Sequence, residues 1–312
     1  LVDLFVERSV HPRYAGNIYK GVVENVLPGM QAAFVNIGLE RNAFLYVDDA
    51  LAGRNGRNSR MVREADGEEI SVPRKKSTSI KDILKPGQEI MVQVTKEPIG
   101  TKGARVVTDV TLPGRYVVLM PTVDYVGVSR RIEEEGERER LRKIAQSSKP
   151  RRVGVIVRTV AEGKNQEEIA SDIQFLVKLW RRIQGRNRRA RGSTLLHQEY
   201  DLAFRLVRDH FAADVTKFAV DDPKEHRKVL DLSRMYSETM RDRIHLYTGQ
   251  EPIFDTYGLE EEIARTLRRK VWLSCGGDIV IDKKKGLTAI EVKTGEDIGA
   301  KAPGGIGFSM KL

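Results

Sequence analysis

Hydrophobic positions change their spacing along the chain, and the change divides it into regions. From residue 17 the apolar residues fall in short runs, IYKGVVENV, QAAFVNIG and NAFLYV, dominated by Val, Ile, Phe and Tyr, with Leu27-Pro28-Gly29 as a turn after the first. Such runs, bounded by turn residues, predict strands. The pattern resumes in QEIMVQVTKEP and ARVVTDVTL, joined across Gly100-Thr101-Lys102-Gly103, a hairpin signal. About five strands in roughly 95 residues describe a small closed or nearly closed barrel. Between them, Arg54 to Ser79 is polar and poor in apolar residues, which predicts a loop insertion.

After Pro113-Gly114 the run RYVVLMP predicts another strand, and GVSRRIEEEGERERLRKIA, acidic at its start and basic at its end, predicts a helix. GVIVRTVAEG returns to strand. From Glu167, residues Ile169, Ile173, Leu176, Val177, Trp180 and Ile183 recur at spacings of three and four, which marks an amphipathic helix whose apolar face is core. A second helix carries Leu202, Leu206, Val207 and Phe211, and a third covers about Glu260 to Lys270. GGDIVIDKKKGLTAIEVKTG reads as strand, turn and strand. The opening LVDLFVERS also reads as a strand and lacks Met, so earlier strands are expected to precede it and the chain reads as a fragment.

At 312 residues, 40% hydrophobic and 31% charged, the chain can form two or more compact units. No apolar run approaches the roughly 20 residues of a membrane span, and the start has no secretory layout, so a cytoplasmic protein is expected. The single cysteine, Cys275, excludes an internal disulfide framework and a thiolate metal site of its own. It reads as a small core residue. The net charge of +10 is clumped at Arg151-Arg152, at Arg186, Arg188, Arg189 and Arg191, and at Lys283-Lys284-Lys285. Clumped cations suit a polyanion, although solvated helix ends and turns explain any one cluster equally well.

Barrels of this size bind single strands by stacking bases on exposed aromatics beside a cationic groove. Phe34 and Phe44 are the candidates, in QAAFVNIG and RNAFLYV. Spacing does not show which face they occupy, and the burial habit of Phe favours the core. Lys102, in a Gly-flanked turn, could reach a phosphate or simply be solvated.

The run NIYKGVVENVLPGMQAAFVNIGLERNAFL, continued by IKDILKPGQEIMVQVTKEPIGTKGA, resembles the RNA-binding barrel of the ribonuclease E/G family. The resemblance extends through YVVLMP, GVSRRIE, GVIVRT, HQEYDLAFRLVRD, IHLYTGQEPIF and GGDIVID with LTAIEV, nearly to Gly295. It implies that Phe34 and Phe44 stack on bases and that Lys102 contacts RNA. It also implies a pocket sensing a 5′-monophosphate, matched by Arg130 in VSRR and by Arg158 and Thr159 in IVRT. A planar guanidinium fork beside a hydroxyl suits a phosphate. On the residues alone, Arg158 reads as an exposed strand end.

The family is expected to hold magnesium with two aspartates on neighbouring strands of a DNase I-like subdomain, the first in an Ala-Ile-Asp-Val/Ile-Asn motif. This chain has Ala289-Ile290-Glu291-Val292-Lys293. Glu291 stands at the aspartate and is the candidate metal ligand, with Lys293 at the asparagine. Strand residues two apart share a side, so Lys293 is expected beside Glu291, competing with a cation for its charge. The second aspartate of the family and its zinc-sharing cysteine motif have no counterpart here. Asp278 and Asp282 could be read as a replacement pair but suit strand-end caps better. From Glu296 the tail EDIGAKAPGGIGFSMKL departs from the family, as a frameshift or a truncated gene would.

The resemblance thus implies an α+β protein of several subdomains. They are an RNase H-like scaffold at 1–15 and 203–267, an OB-fold RNA-binding barrel at 16–110 with an insertion at 54–79, and a 5′-sensing α/β segment at 111–202. The start of a DNase I-like subdomain at 268–295 follows, with 296–312 unassigned. The implied function is binding of single-stranded RNA and its magnesium-dependent endonucleolytic cleavage. The alternative is a catalytically impaired RNA-binding fragment of the same family. A third reading, a translation-linked RNA-binding factor, is disfavoured by the motifs outside the barrel. Assembly into homodimers or larger homo-oligomers stays open, as does the choice between the E and G branches.

Overall fold

In a computed structural model, the chain is described at residues 1–8, 13–50, 62–63, 69–70, 79–211, 214–234, 238–273, 276–284 and 287–293. The insertion after residue 50, Cys275, Lys285 and the divergent tail therefore lie almost wholly or entirely outside the described residues. Two compact units arise: one of Val6–Phe218 with Lys224–Ile244, the other of Leu1–Phe5, Ala219–Pro223 and His245–Leu312.

In the larger unit, β1 (Ile18–Leu27), β2 (Ala32–Asn36), β3 (Ala43–Tyr46), β4 (Glu89–Lys96) and β5 (Arg105–Val107) form a barrel in the order β1-β2-β3-β5-β4, closed by β1–β4 pairing. All its ladders are antiparallel except β3–β5. This closed barrel among helices is consistent with an OB-fold in an α+β protein. Alternation sends Val23, Ala33, Val35, Ala43, Leu45, Val92, Val94 and Val106 inward, where they pack with Ile80, Ile83 and Leu84. Burial of such Val or Leu side chains stabilises by about 1.5–3 kcal/mol each. Register shifts at Val23/Asn25 and Val94/Lys96 provide the local bends that a small barrel needs to close.

A second sheet runs β8-β9-β7-β6, from β6 (Leu112–Pro113), β7 (Val117–Met120), β8 (Val126–Val128) and β9 (Gly154–Val157), with β8 and β9 parallel. Two short helices, α1 (Val47–Ala50) and α2 (Ile80–Ile83), belong to the barrel. Two long helices, α3 (Glu135–Ser148) and α4 (Gln166–Arg189), pack on the second sheet. The predicted stripe of α4 is its buried face: Ile169, Ile173, Leu176 and Ile183 meet Val117, Leu119, Val155 and Val157, and Trp180 packs beside them partly buried. An Asn165/Glu168 capping box starts this helix by satisfying two otherwise orphaned N–H groups. After α4 the chain forms β10 (Thr194–His197), which pairs antiparallel with β1 and so returns to the barrel. The next helix, α5 (Leu202–Asp209), is capped by Asp201 and buries Val207 against Phe211, Val229, Met240 and Ile244, with Val229 supplied by α6 (Pro223–Arg234).

The smaller unit contains α7 (Ile253–Thr256), α8 (Leu259–Thr266) and the antiparallel sheet β11 (Lys270–Trp272), β12 (Asp278–Lys284), β13 (Leu287–Lys293). Two expectations fail. The helix predicted to reach Lys270 ends at Thr266, because the Arg269 carbonyl already accepts from Ile281 N–H and Lys270 opens a strand. The strand expected at the start of the chain is not found over its described residues: residues 1–7 take no regular structure, and Val2 and Val6 are exposed. Among the described residues, no helix is long and apolar enough to cross a membrane.

Candidate nucleic-acid interface

Inward Ala33 and Val35, and inward Ala43 and Leu45, force Phe34 and Phe44 to the outside of the barrel. The core reading that Phe burial alone favours is corrected here. The two residues are direct cross-strand partners, half-buried, with ring centroids 5.9 Å apart edge to face. Tyr46, two residues along β3, adds a ring 6.4 Å from that of Phe44 and is 38% exposed. The same row continues from Phe44 to Arg105 on β5 and Lys96 on β4, both exposed. Arg105 also holds Asp49 through Nε and Nη2. Aromatic faces thus adjoin cationic ends on one outer surface.

Lys102 is exposed and closes the two-residue Gly100-Thr101 turn through reciprocal backbone bonds with Ile99 of 3.1 and 3.0 Å. Arg41 braces the turn by donating to the Gly100 carbonyl at 2.9 Å. Gly103 lets the hairpin seat on the barrel, since a Cβ there would lie 2.0 Å from the Asn42 carbonyl oxygen.

The parallel β8–β9 ladder brings the ends of VSRR and IVRT together, with Val128 opposite Val157. The Ser129 and Thr159 hydroxyls meet at 2.9 Å, and Arg130 next to them is exposed. Arg158 is not an exposed strand end. It is 1% exposed, and its Nη1 donates to Asp209 Oδ1 and the Gly114 carbonyl, both at 2.7 Å. Its Nε is buried with no acceptor. Burial favours this arrangement because Asp209, on α5, supplies the counter-charge that a desolvated guanidinium requires. Arg208 holds the other side of Asp209 at 2.9 Å and reaches Glu199 at 3.0 Å. Burial would raise the Asp209 carboxyl, but the hydrogen bonds and charges of Arg208 and Arg158 outweigh it and hold the group below the ordinary aspartate value.

On the β12–β13 ladder, Glu291 faces Val280, Lys293 faces Asp278 and Ala289 faces Asp282. Lys293 Nζ lies 3.7 Å from Glu291 Oε1, the expected juxtaposition. Asp278 pairs with Lys270 at 3.4 Å, and Asp282 binds Arg269 in a fork of 2.5 and 2.9 Å. Each carboxylate on this face has its own cation. Among the described residues no group of three or more His, Cys, Asp or Glu side chains could hold a metal ion. Glu291, exposed and beside an ammonium, does not fit magnesium, which is usually held by one or two carboxylates in near-octahedral oxygen geometry.

Four residues of these surfaces go unnamed in the sequence analysis. Tyr46 was within reach of it, because it alternates with Phe44 on the same strand. Asp209 as the partner of Arg158, and the Arg105–Lys96 end of the aromatic row, depend on tertiary pairings with no local signal.

A family model described as the ribonuclease E/G family matches residues 111–304. Ribonuclease G of Escherichia coli (strain K12) is 40% identical over 299 residues, covering 96% of this chain and 59% of that protein. Ribonuclease G of Haemophilus influenzae is 38% identical over 299 residues, with the same coverage of 96% and 59%. Ribonuclease E of a Nostoc species is 40% identical over 284 residues, covering 90% of this chain and 39% of that protein. The chain therefore spans less than two thirds of the length of these relatives.

Proposed function

Because the chain belongs to the ribonuclease E/G family, an endoribonuclease family, we propose that it binds single-stranded RNA across the outer face of its barrel. The carrying observation is the outward Phe34–Phe44 pair beside Arg105 and Lys96. Bases stack on such rings irrespective of sequence, while cations track the phosphates. Lys102, on its braced turn, supplies a further phosphate contact. In the same reading the end of an RNA carrying a 5′-monophosphate is sensed at the β8–β9 edge. Arg130 and Thr159 are the groups at that edge, and Arg158 lies buried behind them, its Nη1 fixed by Asp209 and Gly114 and its Nε without an acceptor. The segments 1–15 with 203–267 and 268–295 are assigned, on the family resemblance, to an RNase H-like scaffold and the start of a DNase I-like subdomain.

Endonucleolytic cleavage in the cytoplasm, with magnesium, is the activity the family implies. The Glu291–Lys293 pairing favours a second reading for this chain, RNA binding without turnover. Fluorescence anisotropy with a labelled single-stranded oligonucleotide tests the main proposal. Phe34→Ala and Phe44→Ala should each cost about 1–3 kcal/mol of affinity. Folded variants that bind as the parent does overturn it.

A further inference from the structure

Between Asp172 and Glu199 the sequence has no acidic residue and seven basic ones: Lys178, Arg181, Arg182, Arg186, Arg188, Arg189 and Arg191. All seven are exposed. Arg186 spends one nitrogen on the Leu196 carbonyl at 3.0 Å, and among the described residues none of the seven forms an ion pair. The helix dipole explains cations in the last turn of α4, where Arg186, Arg188 and Arg189 sit. It does not explain Lys178, Arg181 and Arg182, more than a turn earlier, or Arg191 beyond the helix end. Phe175, 36% exposed, lies on the same face, because Lys178 and Arg182 follow it at helical spacings of three and seven. The result is a cationic ridge with an aromatic one turn before its first cation. At 1.5 Å per residue, Lys178 to Arg189 extends about 17 Å.

The ridge is joined to the barrel. Lys20 of β1 donates to the Asn187 and Ala190 carbonyls at 3.3 and 2.8 Å. The Ser193 hydroxyl contacts the Asn36 carbonyl and side-chain oxygens at 2.8 and 3.0 Å, at the end of β2. Asn36 is two residues from Phe34 and shares its side of the strand, a step of roughly 7 Å. We infer that the single-stranded RNA path continues from the Phe34–Phe44 face over the Asn36–Ser193 junction onto the Lys178–Arg191 ridge, which holds the sugar-phosphate backbone. This rests on the barrel being an RNA-binding face.

The test uses the full chain with two single-stranded oligonucleotides, one of about 5 nucleotides that fills only the barrel and one of about 20 that reaches the ridge. The triple variant Arg182→Gln, Arg188→Gln, Arg189→Gln should bind the long oligonucleotide at least tenfold more weakly near 0.1 M salt. Its slope of log affinity against log salt should fall by about 2, at roughly 0.7 per lost phosphate contact. The short oligonucleotide should bind as it does to the parent, which also shows that the variant is folded. The corresponding triple Lys variant keeps the charge and should retain the long-oligonucleotide affinity and slope. Unchanged long binding in the Gln variant, equal loss for both lengths, or a Lys variant as weak as the Gln variant overturns the inference, as does a preference for a duplex of equal length. Failure of the barrel reading is seen separately, as short-oligonucleotide binding that survives Phe34→Ala and Phe44→Ala.

Discussion

Asp209→Asn separates the structural work of Arg158 from its proposed work on RNA. The Arg158 and Asp209 side chains are 1% and 8% exposed, so removing the carboxylate charge leaves a guanidinium in a desolvated site with the Gly114 carbonyl as its remaining fixed acceptor. Breaking a buried pair by removing one partner costs about 3–5 kcal/mol. The lower end applies, since an amide oxygen can still accept and Glu199 still serves Arg208. A loss of about 3 kcal/mol corresponds to a fall in Tm of roughly 6–12 °C for a domain of this size. The proton linkage has a definite sign. Asp209 is held below its ordinary value, so its contribution is present above the unfolded pKa of about 3.9 and is lost as pH falls through the folded value. The variant should therefore show a shallower loss of stability in acid than the parent. If Arg158 also binds a 5′-phosphate, that phosphate can replace the missing counter-charge. A 5′-monophosphorylated oligonucleotide should then raise the Tm of Asp209→Asn by more than its 5′-hydroxyl twin does, and Arg158→Ala should erase the difference. Equal stabilisation by the two oligonucleotides would refute the assignment, and an unchanged Tm would refute the energetic argument beneath it.

In a magnesium cleavage assay the parent chain and Glu291→Asp with Lys293→Asn should both be inactive, because among the described residues of the β12–β13 face the other carboxylates, Asp278 and Asp282, are each paired with a cation. Magnesium-dependent cutting by the parent that disappears in Glu291→Ala would show this to be wrong. Gly103→Ala should cost about 1–3 kcal/mol of stability through the clash with the Asn42 carbonyl. It should also weaken RNA binding by displacing Lys102, and a crystal structure of the variant with the hairpin unmoved would remove that explanation.

What could be read along the chain follows from the range of the forces involved. Barrel strands and the α4 stripe are written in short-period patterns, since a residue's neighbours on a strand or helix face lie two to four positions away. The Lys293–Glu291 contact was legible for the same reason. The outward direction of Phe34 and Phe44 was not legible from spacing, because alternation separates them from Ala33, Val35, Ala43 and Leu45 without saying which set faces inward, and the burial habit of Phe points the wrong way. Burial of Arg158 could not be read, because its compensating charge is on α5, fifty-one residues on. Nor could the return of Thr194–His197 to the barrel edge, which depends on finding β1 across a long helix.

These differences bear on how the proposed RNA binding could persist in a chain without a working cleavage site. The aromatic row needs only two adjacent strands in register and tolerates change elsewhere. A metal site needs several carboxylates whose charges are not already balanced. On the β12–β13 face, Asp278, Asp282 and Glu291 are brought close by the ladder, yet each stands with a cation, Lys270, Arg269 and Lys293 in turn. The Arg269 guanidinium holds Asp282 below its ordinary value, an ionised state that comes from pairing, not from readiness for a metal. A divalent ion would have to displace an ammonium or guanidinium for every carboxylate it gained. Among the described residues each carboxylate of this face is therefore already balanced, whereas none of the seven cations from Lys178 to Arg191 forms an ion pair, and in the proposed reading a phosphate backbone would supply the missing sign there.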